Sequence, residues 1–129
     1  MDKQITPLEN TVLNLFGSRS NKHQILLSTQ ISQARVESRQ ITNVGFITKF
    51  RMPNTITTLT TMSKRKVFEI YAEHPHTHAG AEFSLWFEYG RLKYLEGYVF
   101  VGQWPTEEYN FHFLDYNDSL CSELVNSNS

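Results

Sequence analysis

The hydrophobic pattern of this chain changes its period near Ala34, and that change limits the possible folds more than any other feature of the sequence. Before it, Leu8, Val12 and Leu15 recur at the spacing of an amphipathic helix. After it, apolar and polar residues alternate, and β-branched and aromatic residues become dense, which is typical of strands. The sequence therefore predicts an α+β fold, with two N-terminal helices packed on one face of a five- to six-stranded, mainly antiparallel sheet.

The first helix has a start signal in Thr6-Pro7-Leu8-Glu9, where a threonine cap, a proline at the first helical position and a later glutamate form a capping box. Gly17 is expected to end this helix. A second helix is predicted from Ser20 or Asn21 to about Gln33. Its buried side is expected to hold Ile25, Leu26 and Ile31.

The first hairpin is predicted to turn at Thr42-Asn43-Val44. This loop places Val36 opposite Phe50 and Glu37 opposite Lys49, which pairs apolar with apolar and acid with base. A shorter loop would place Arg35 opposite Phe50, because a slip of one residue exchanges the two faces of a strand. We therefore favour the longer loop.

The second hairpin is predicted to turn at Tyr89-Gly90, with Gly80 to Glu88 and Arg91 to Val101 as its strands. Continuous pairing across that turn sets Glu88 against Arg91 and Leu85 against Tyr94. The face predicted to be apolar then holds Ala81, Phe83, Leu85, Phe87, Leu92, Tyr94, Tyr98 and Phe100.

Two more strands are predicted, from Val67 to Glu73 and from Asn110 to Tyr116. The threonine-rich residues 54–63 fit either an edge strand or an irregular crossing. Residues 1–116 are predicted to form a single domain, and residues 117–129, which are mostly small and polar, a flexible tail.

The charge balance and the hydropathy exclude several classes of partner. Twelve basic and thirteen acidic side chains leave a formal charge of −1, so the broad positive field of a nucleic-acid-binding protein is missing. No apolar run resembles a secretory signal or is long enough to span a membrane. The single cysteine, Cys121, cannot form an internal disulfide, which fits a cytoplasmic protein.

Glu96 is the most unusual residue of the predicted second hairpin, because the register places it on the apolar face, opposite Phe83. A buried carboxylate has to be paired, protonated or exposed to an opening. One hypothesis is a ligand pocket beneath the helices, with Glu96, Tyr94, Tyr98 and His74 as its polar groups. A structural hydrogen bond and an outward position caused by a bulge are the alternatives.

Three histidines, His74, His76 and His78, alternate in the segment before the second hairpin. Neutral imidazoles on one side of an extended chain are suitable ligands for zinc, copper or nickel. Pro75 interrupts the segment, however, and an ordinary solvated loop is the competing interpretation. We expect no cofactor.

Nothing in the sequence matches a catalytic motif for nucleophilic chemistry or phosphate binding. Trp86, Trp104 and Tyr109 are instead candidates for a protein-binding surface, because tryptophan and tyrosine dominate the energetics of interfaces. Each of these rings could also be covered by its own chain.

Several short motifs resemble a family of short uncharacterised bacterial proteins. They are Ala34-Arg35-Val36, Val44-Gly45-Phe46-Ile47-Thr48-Lys49-Phe50, His78-Ala79-Gly80-Ala81, Gly90-Arg91-Leu92, Leu95-Glu96-Gly97-Tyr98 and Trp104-Pro105. That family pattern has a strand ending Leu-Glu-Gly-Tyr and a later Trp-Pro, and the resemblance covers roughly residues 34–105. It implies no particular activity.

Three functional hypotheses follow. The favoured one is a small non-enzymatic protein-binding module, such as a bacterial immunity or antitoxin-like protein. The others are a ligand-binding protein or enzyme with a pocket around Glu96, and a metal-binding protein that uses the histidine segment. A homodimer through an exposed strand edge is compatible with each of them.

Overall fold

Two helices precede six strands in the computed structural model, which describes residues 4–19, 24–58 and 64–118. The elements are α1 (Pro7–Arg19), α2 (Gln24–Gln33), β1 (Arg35–Ile41), β2 (Gly45–Arg51), β3 (Lys64–Glu73), β4 (Ala81–Glu88), β5 (Arg91–Val99) and β6 (His112–Asp118). The strands form one sheet in the order β1-β2-β5-β4-β3-β6, and all neighbours are antiparallel. The predicted α+β fold, with helices N-terminal to an antiparallel sheet, is confirmed.

The capping box of α1 forms as predicted. The Thr6 N–H donates to Glu9 Oε1 at 2.9 Å, and the Glu9 N–H donates to Thr6 Oγ1 at 3.1 Å. Gly17 does not end the helix, which continues to Arg19. A Cβ atom on Gly17 would lie 3.3 Å from Ser28 Oγ, so this glycine allows α1 to pack closely against α2.

The buried side of α2 differs from the predicted one. Ile25 is 82% exposed, whereas Leu27 and Gln30 are completely buried and Ile31 is half-buried. A buried glutamine on the inner side of the helix breaks the apolar pattern. The predicted buried stripe is therefore rotated around the helix axis relative to the observed one. The predicted start at residues 20–21 lies outside the described residues.

The first hairpin follows the predicted pairing at the end that is farthest from its loop. Val36 lies opposite Phe50, and residues 42–44 connect the two strands. A bulge after Val36 then places Ser38 opposite Lys49. The Glu37 carboxylate still reaches Lys49, with 3.0 Å between Oε2 and Nζ.

The second hairpin begins as predicted. Tyr89 and Gly90 have φ angles of 52° and 76°, as a type I′ turn requires. Glu88 pairs with Arg91, and Phe87 pairs with Leu92.

The predicted pairing of Leu85 with Tyr94 is wrong, because a bulge shifts the register one residue later. Trp86 lies opposite Tyr94 and Leu85 opposite Leu95, so Lys93 is the extra residue of β5. Beyond the bulge the two faces of β5 are exchanged relative to the prediction.

This exchange decides which side chains enter the core. Leu95 and Val99 are buried, and Gly97 faces the rings of Phe46 and Phe83. The predicted position of Glu96 on the apolar face, together with Tyr94 and Tyr98, is therefore wrong. All three project from the opposite face, where they are half-buried.

One apolar core joins the helices to the inner face of the sheet. Its buried residues are Leu8, Val12, Leu13, Phe16, Leu27, Val36, Phe46, Phe50, Phe68, Ile70, Ala72, Ala81, Phe83, Leu85, Phe87, Leu92, Leu95 and Val99. Burial of these side chains is the main favourable term in folding.

The remaining segments are partly described. Residues 54–58 contain no strand, which favours an irregular crossing there, and residues 59–63 lie outside the described part. Residues 117 and 118, predicted to begin the flexible tail, belong to β6, and the rest of that tail, with Cys121, lies outside the described residues. β6 occurs two residues later than predicted. No helix among the described residues is long and apolar enough to cross a membrane.

Candidate functional site

The two faces of the sheet are covered differently. Both helices pack on the inner face, while the outer face carries no helix among the described residues. We call this outer surface the open face. It includes Ile47, Lys49, Glu69, Tyr71, Glu82, Ser84, Trp86, Tyr94, Glu96 and Tyr98, which the register places side by side. The name refers to the absence of a described helix and not to exposure, because Glu82 and Ser84 at its centre are only 4% and 0% exposed.

Three carboxylates at the centre of the open face are oriented by neutral donors. Trp86 Nε1 donates to Glu96 Oε1 at 3.3 Å, a cross-strand contact that directly confirms the outward position of both side chains. Ser84 Oγ donates to Glu82 Oε2 at 2.7 Å. Tyr71 donates its hydroxyl proton to Glu69 Oε2 at 3.1 Å. These contacts hold the carboxylates in defined positions on three adjacent strands.

Aromatic rings border the carboxylates at one end of the open face. The ring of Phe100 lies 5.5 Å from that of Tyr98, edge to face, and 6.4 Å from that of Tyr71. Phe100 is nevertheless 46% exposed. Exposed aromatic surface of this kind marks an interaction site more often than isolated apolar side chains do.

The other end of the open face carries paired charges. Glu37 contacts Lys49 at 3.0 Å and Arg51 at 3.5 Å. The hydrogen bond from Lys49 lowers the pKa of Glu37, and the same hydrogen bond raises the pKa of Lys49. This end is therefore of mixed charge.

The structure separates the four residues of the predicted pocket. Glu96, Tyr94 and Tyr98 lie on the open face, whereas His74 is buried on the side of the core, with its ring 4.8 Å from that of Phe111. Because the sheet lies between them, these residues do not form one pocket beneath the helices.

The ring of His74 is held in place by hydrogen bonds to the protein backbone. Its Nδ1 accepts a hydrogen bond from the His76 N–H at 3.0 Å, and its Nε2 lies 2.7 Å from the Glu107 carbonyl oxygen. Together these contacts require a neutral ring with the proton on Nε2. His76 and His78 are exposed, and within the described residues no group of three potential ligands is arranged to hold a metal ion. The structure does not bring the three histidines into one ligand set.

His74→Ala is expected to lower the free energy of unfolding by about 2–3 kcal/mol, because the substitution removes two hydrogen bonds and a ring packed against the core. His78→Ala is the matched control and is expected to change it by less than about 0.5 kcal/mol. Urea denaturation of both variants measures the difference. Zinc should leave the melting temperature of the unmodified chain unchanged; a zinc-dependent rise that disappears in His78→Ala would contradict the structural role.

The three candidate protein-binding residues lie in different places. Trp86 belongs to the open face. Trp104 packs its ring against Phe46, Phe83 and Phe111 at 5.3–5.9 Å and donates Nε1–H to Glu108 Oε2 at 2.7 Å, so it covers one end of the core. Tyr109 is 81% exposed beside a cleft of about 430 Å³ next to α1.

Sequence reasoning missed Tyr71, Glu69 and Phe100 as members of the same surface as Trp86. Tyr71 and Glu69 stand on the polar side of the alternating pattern of β3, which was the available signal. Their proximity to Tyr98 and Glu96 depends on the bulge in β5, which shifts those residues outward.

A second polar centre lies between α1 and the sheet. Glu9 is only 1% exposed, and its carboxylate accepts hydrogen bonds from Arg39 Nε at 2.8 Å, from Arg39 Nη2 at 2.7 Å and from the Thr48 hydroxyl. Burial acts to raise the pKa of Glu9, but the hydrogen bonds from Arg39, Thr48 and the Thr6 N–H outweigh it, so this pKa lies below its ordinary value. Both carboxylate oxygens are engaged, and the adjoining cavity has a volume of only about 80 Å³. The cluster is a structural connection of α1 to β1 and β2.

Comparison of the chain with protein-family models, curated proteins and solved structures finds no match. The resemblance to short uncharacterised bacterial proteins stays a prediction. The functional proposal therefore rests on the residues described above.

Proposed function

We propose that this protein is a small non-enzymatic protein-binding module that binds its partner through the open face, in the manner of an immunity or antitoxin-like protein. The observation that carries the proposal is the position of Trp86, Tyr94 and Tyr98 on the face of the sheet that carries no helix in the described part of the chain. Trp and Tyr side chains that are half-buried in the free protein lose little conformational freedom on binding and add large contact area.

The polar clusters elsewhere support a binding role. The carboxylate of Glu9 is bound by Arg39 and Thr48, and both ring nitrogens of His74 are engaged. These side chains have structural partners and are not placed to act on a substrate. A cytoplasmic location is part of the proposal, since a single cysteine suits a reducing compartment.

Comparative affinity capture tests the proposal. The baits are the unmodified chain, the open-face variant Trp86→Ala/Tyr98→Ala, and the control Tyr109→Ala, which removes an exposed ring outside the open face. We expect one stoichiometric protein partner with the unmodified chain and the control, and at least about tenfold less of it with the open-face variant, because hot-spot aromatics contribute 2 kcal/mol or more.

Two outcomes contradict the proposal. One is the absence of a stoichiometric protein partner from lysate of the source cells. The other is equal capture by all three baits. Circular dichroism and thermal melting of each bait establish that the variants are folded before capture is compared.

A further inference from the structure

We infer that the partner binds with an acidic segment across the end of the open face where β2 and β4 end, and that carboxylates of this segment contact Arg91 and Lys93 in the cleft beside Tyr89. This inference rests on the proposed function and specifies the chemistry of the partner.

Basic residues collect at this end of the open face, which we call the basic end. The register brings the first residues of β1, β3 and β5 next to the last residues of β2 and β4. Alternation along each strand places seven cationic positions there on the outer face, namely Arg35, Lys49, Arg51, Lys64, Lys66, Arg91 and Lys93. Two acidic positions, Glu37 and Glu88, lie among them.

The charge of the molecule is therefore strongly asymmetric. Seven cations and two carboxylates give the basic end a formal charge of +5, so the rest of the chain, which is −1 overall, carries −6. Such a field orients an oppositely charged partner before contact and accelerates association. A long polyanion such as a nucleic acid would extend beyond the basic end and meet the acidic remainder. A short acidic segment of a protein fits the asymmetry better.

A cleft of about 560 Å³ opens within the basic end. The ladder between β2 and β5 stops at the pair of Lys49 with Tyr94, although both strands continue. The bulge at Lys93 lies next to this pair, and bulges commonly redirect side chains at binding sites. The cleft lies between the two strand ends and is lined by Phe50, Arg51, Tyr89, Arg91, Leu92 and Lys93, among others.

Two cations of the cleft have donors for a ligand. Arg91 donates from Nη2 to the Asn54 carbonyl oxygen at 3.1 Å, which uses one of the several donors of a guanidinium group. Among the residues whose side chains the structure describes, no carboxylate lies within ion-pair distance of the Lys93 ammonium group. An incoming carboxylate can therefore bind Arg91 and Lys93 without displacing an ion pair.

The two acidic residues that line the cleft do not neutralise it. Glu37 is shared by two cations, with 3.0 Å to Lys49 and 3.5 Å to Arg51. Glu88 lies opposite Arg91 on the neighbouring strand, and Lys93 lines the same cleft. Cations thus outnumber carboxylates, and the cleft favours an anionic group over a cationic one.

Tyr89 adds a second signal of a binding site. Its φ angle is 52°, a conformation that glycine, asparagine and aspartate adopt more readily than tyrosine does. The residue is 63% exposed, so burial of its ring does not offset this cost. Strained residues of this kind cluster at binding sites. At the edge of the cleft the ring can contact a bound segment.

Titration with a defined peptide tests the inference. The probe is a short peptide of alternating serine and glutamate, and the control peptide has arginine in place of glutamate. Calorimetry should show binding of the glutamate peptide only, weakening as salt is added. Arg91→Gln/Lys93→Gln should weaken this binding by at least about fivefold. The matched control Lys3→Gln/Lys22→Gln makes the same change in net charge ahead of the two helices and should bind as the unmodified chain does.

Tyr89→Asn separates binding from stability. Asparagine suits the backbone conformation, so the melting temperature should rise by about 2–5 °C. Binding of the glutamate peptide should nevertheless weaken, because the ring is lost. A lower melting temperature or unchanged binding would contradict the assignment of this cleft.

The inference is overturned if the glutamate peptide does not bind the unmodified chain, or if both double variants weaken binding equally. Tighter binding of an oligothymidylate than of the glutamate peptide would also overturn it and assign the basic end to a nucleic acid. If capture of the protein partner still depends on Trp86 and Tyr98, the proposed function survives these failures. Capture that depends on neither residue overturns the proposed function, whatever the titration shows.

Discussion

Gln30→Leu is expected to lower the free energy of unfolding by about 3–5 kcal/mol, although leucine has a similar size and is more hydrophobic. The side chain of Gln30 is 0% exposed. Its Oε1 accepts from the Leu92 N–H at 2.7 Å, and its Nε2 donates to the carbonyl oxygens of Gly90 and Thr57, each at 2.9 Å. Leucine leaves these backbone groups without their partner, and the contacts with Gly90 and Leu92 are buried, so the desolvation cost there exceeds the gain in apolar burial.

Urea denaturation measures this loss, with Gln33→Leu as the control at an exposed position of the same helix. The control is expected to change the free energy of unfolding by less than about 0.5 kcal/mol. Similar small effects of both substitutions would show that Gln30 does not connect α2 to the turn between β4 and β5.

Glu9→Gln is expected to lower the free energy of unfolding by about 3 kcal/mol at neutral pH, because it leaves the largely buried guanidinium of Arg39 without its anion. The substitution also weakens the capping box of α1. Glu37→Gln is the control, since it removes a carboxylate from an ion pair at the solvent-exposed end of the sheet, and its effect should be much smaller.

The stability of the unmodified chain should depend on pH through the same group. The folded-state pKa of Glu9 lies below its ordinary value of 4.5, so its contribution is fully present above pH 4.5 and is lost as the pH falls through the lowered pKa. The difference between the unmodified chain and Glu9→Gln should therefore shrink on acidification. A difference that is the same at neutral and acidic pH would contradict the ion pair with Arg39.

Local chemistry made part of the fold predictable from sequence. The capping box needs only the four residues from Thr6 to Glu9, and the pairing of Val36 with Phe50 follows from the contrast of apolar and charged positions in one hairpin. These features depend on residues that are close to one another in the sequence, so the sequence alone is enough to predict them.

The bulge at Lys93 could not be inferred in the same way. After Leu92, either alternating set of residues offers large side chains to the core: Tyr94 and Tyr98 in one set, Leu95 and Val99 in the other. The packing of other strands decides between them. A Cβ at Gly97 would lie 2.6 Å from the Phe46 ring and 3.0 Å from the Phe83 ring, so only glycine fits where those rings approach.

The error in the predicted register of β5 also led to errors in the predicted site. Trp86 lies on the outer face as predicted, because the register error does not change the faces of β4. Glu96 was singled out because the predicted register placed it on the apolar face, and the structure places it on the opposite face. The aromatic border at Tyr71 and Phe100 required the order of β3, β4 and β5 in the sheet, which is a property of the whole fold.

The proposed function depends on the outward direction of Tyr94, Glu96 and Tyr98, and nuclear Overhauser contacts in isotope-labelled protein test this direction most directly. The expected contacts join the Trp86 indole N–H to the Glu96 side chain and the Leu95 methyl groups to rings of the core. Contacts of the Glu96 side chain with Phe83 or Leu85 instead would place the carboxylate inside and contradict the open face as the binding surface.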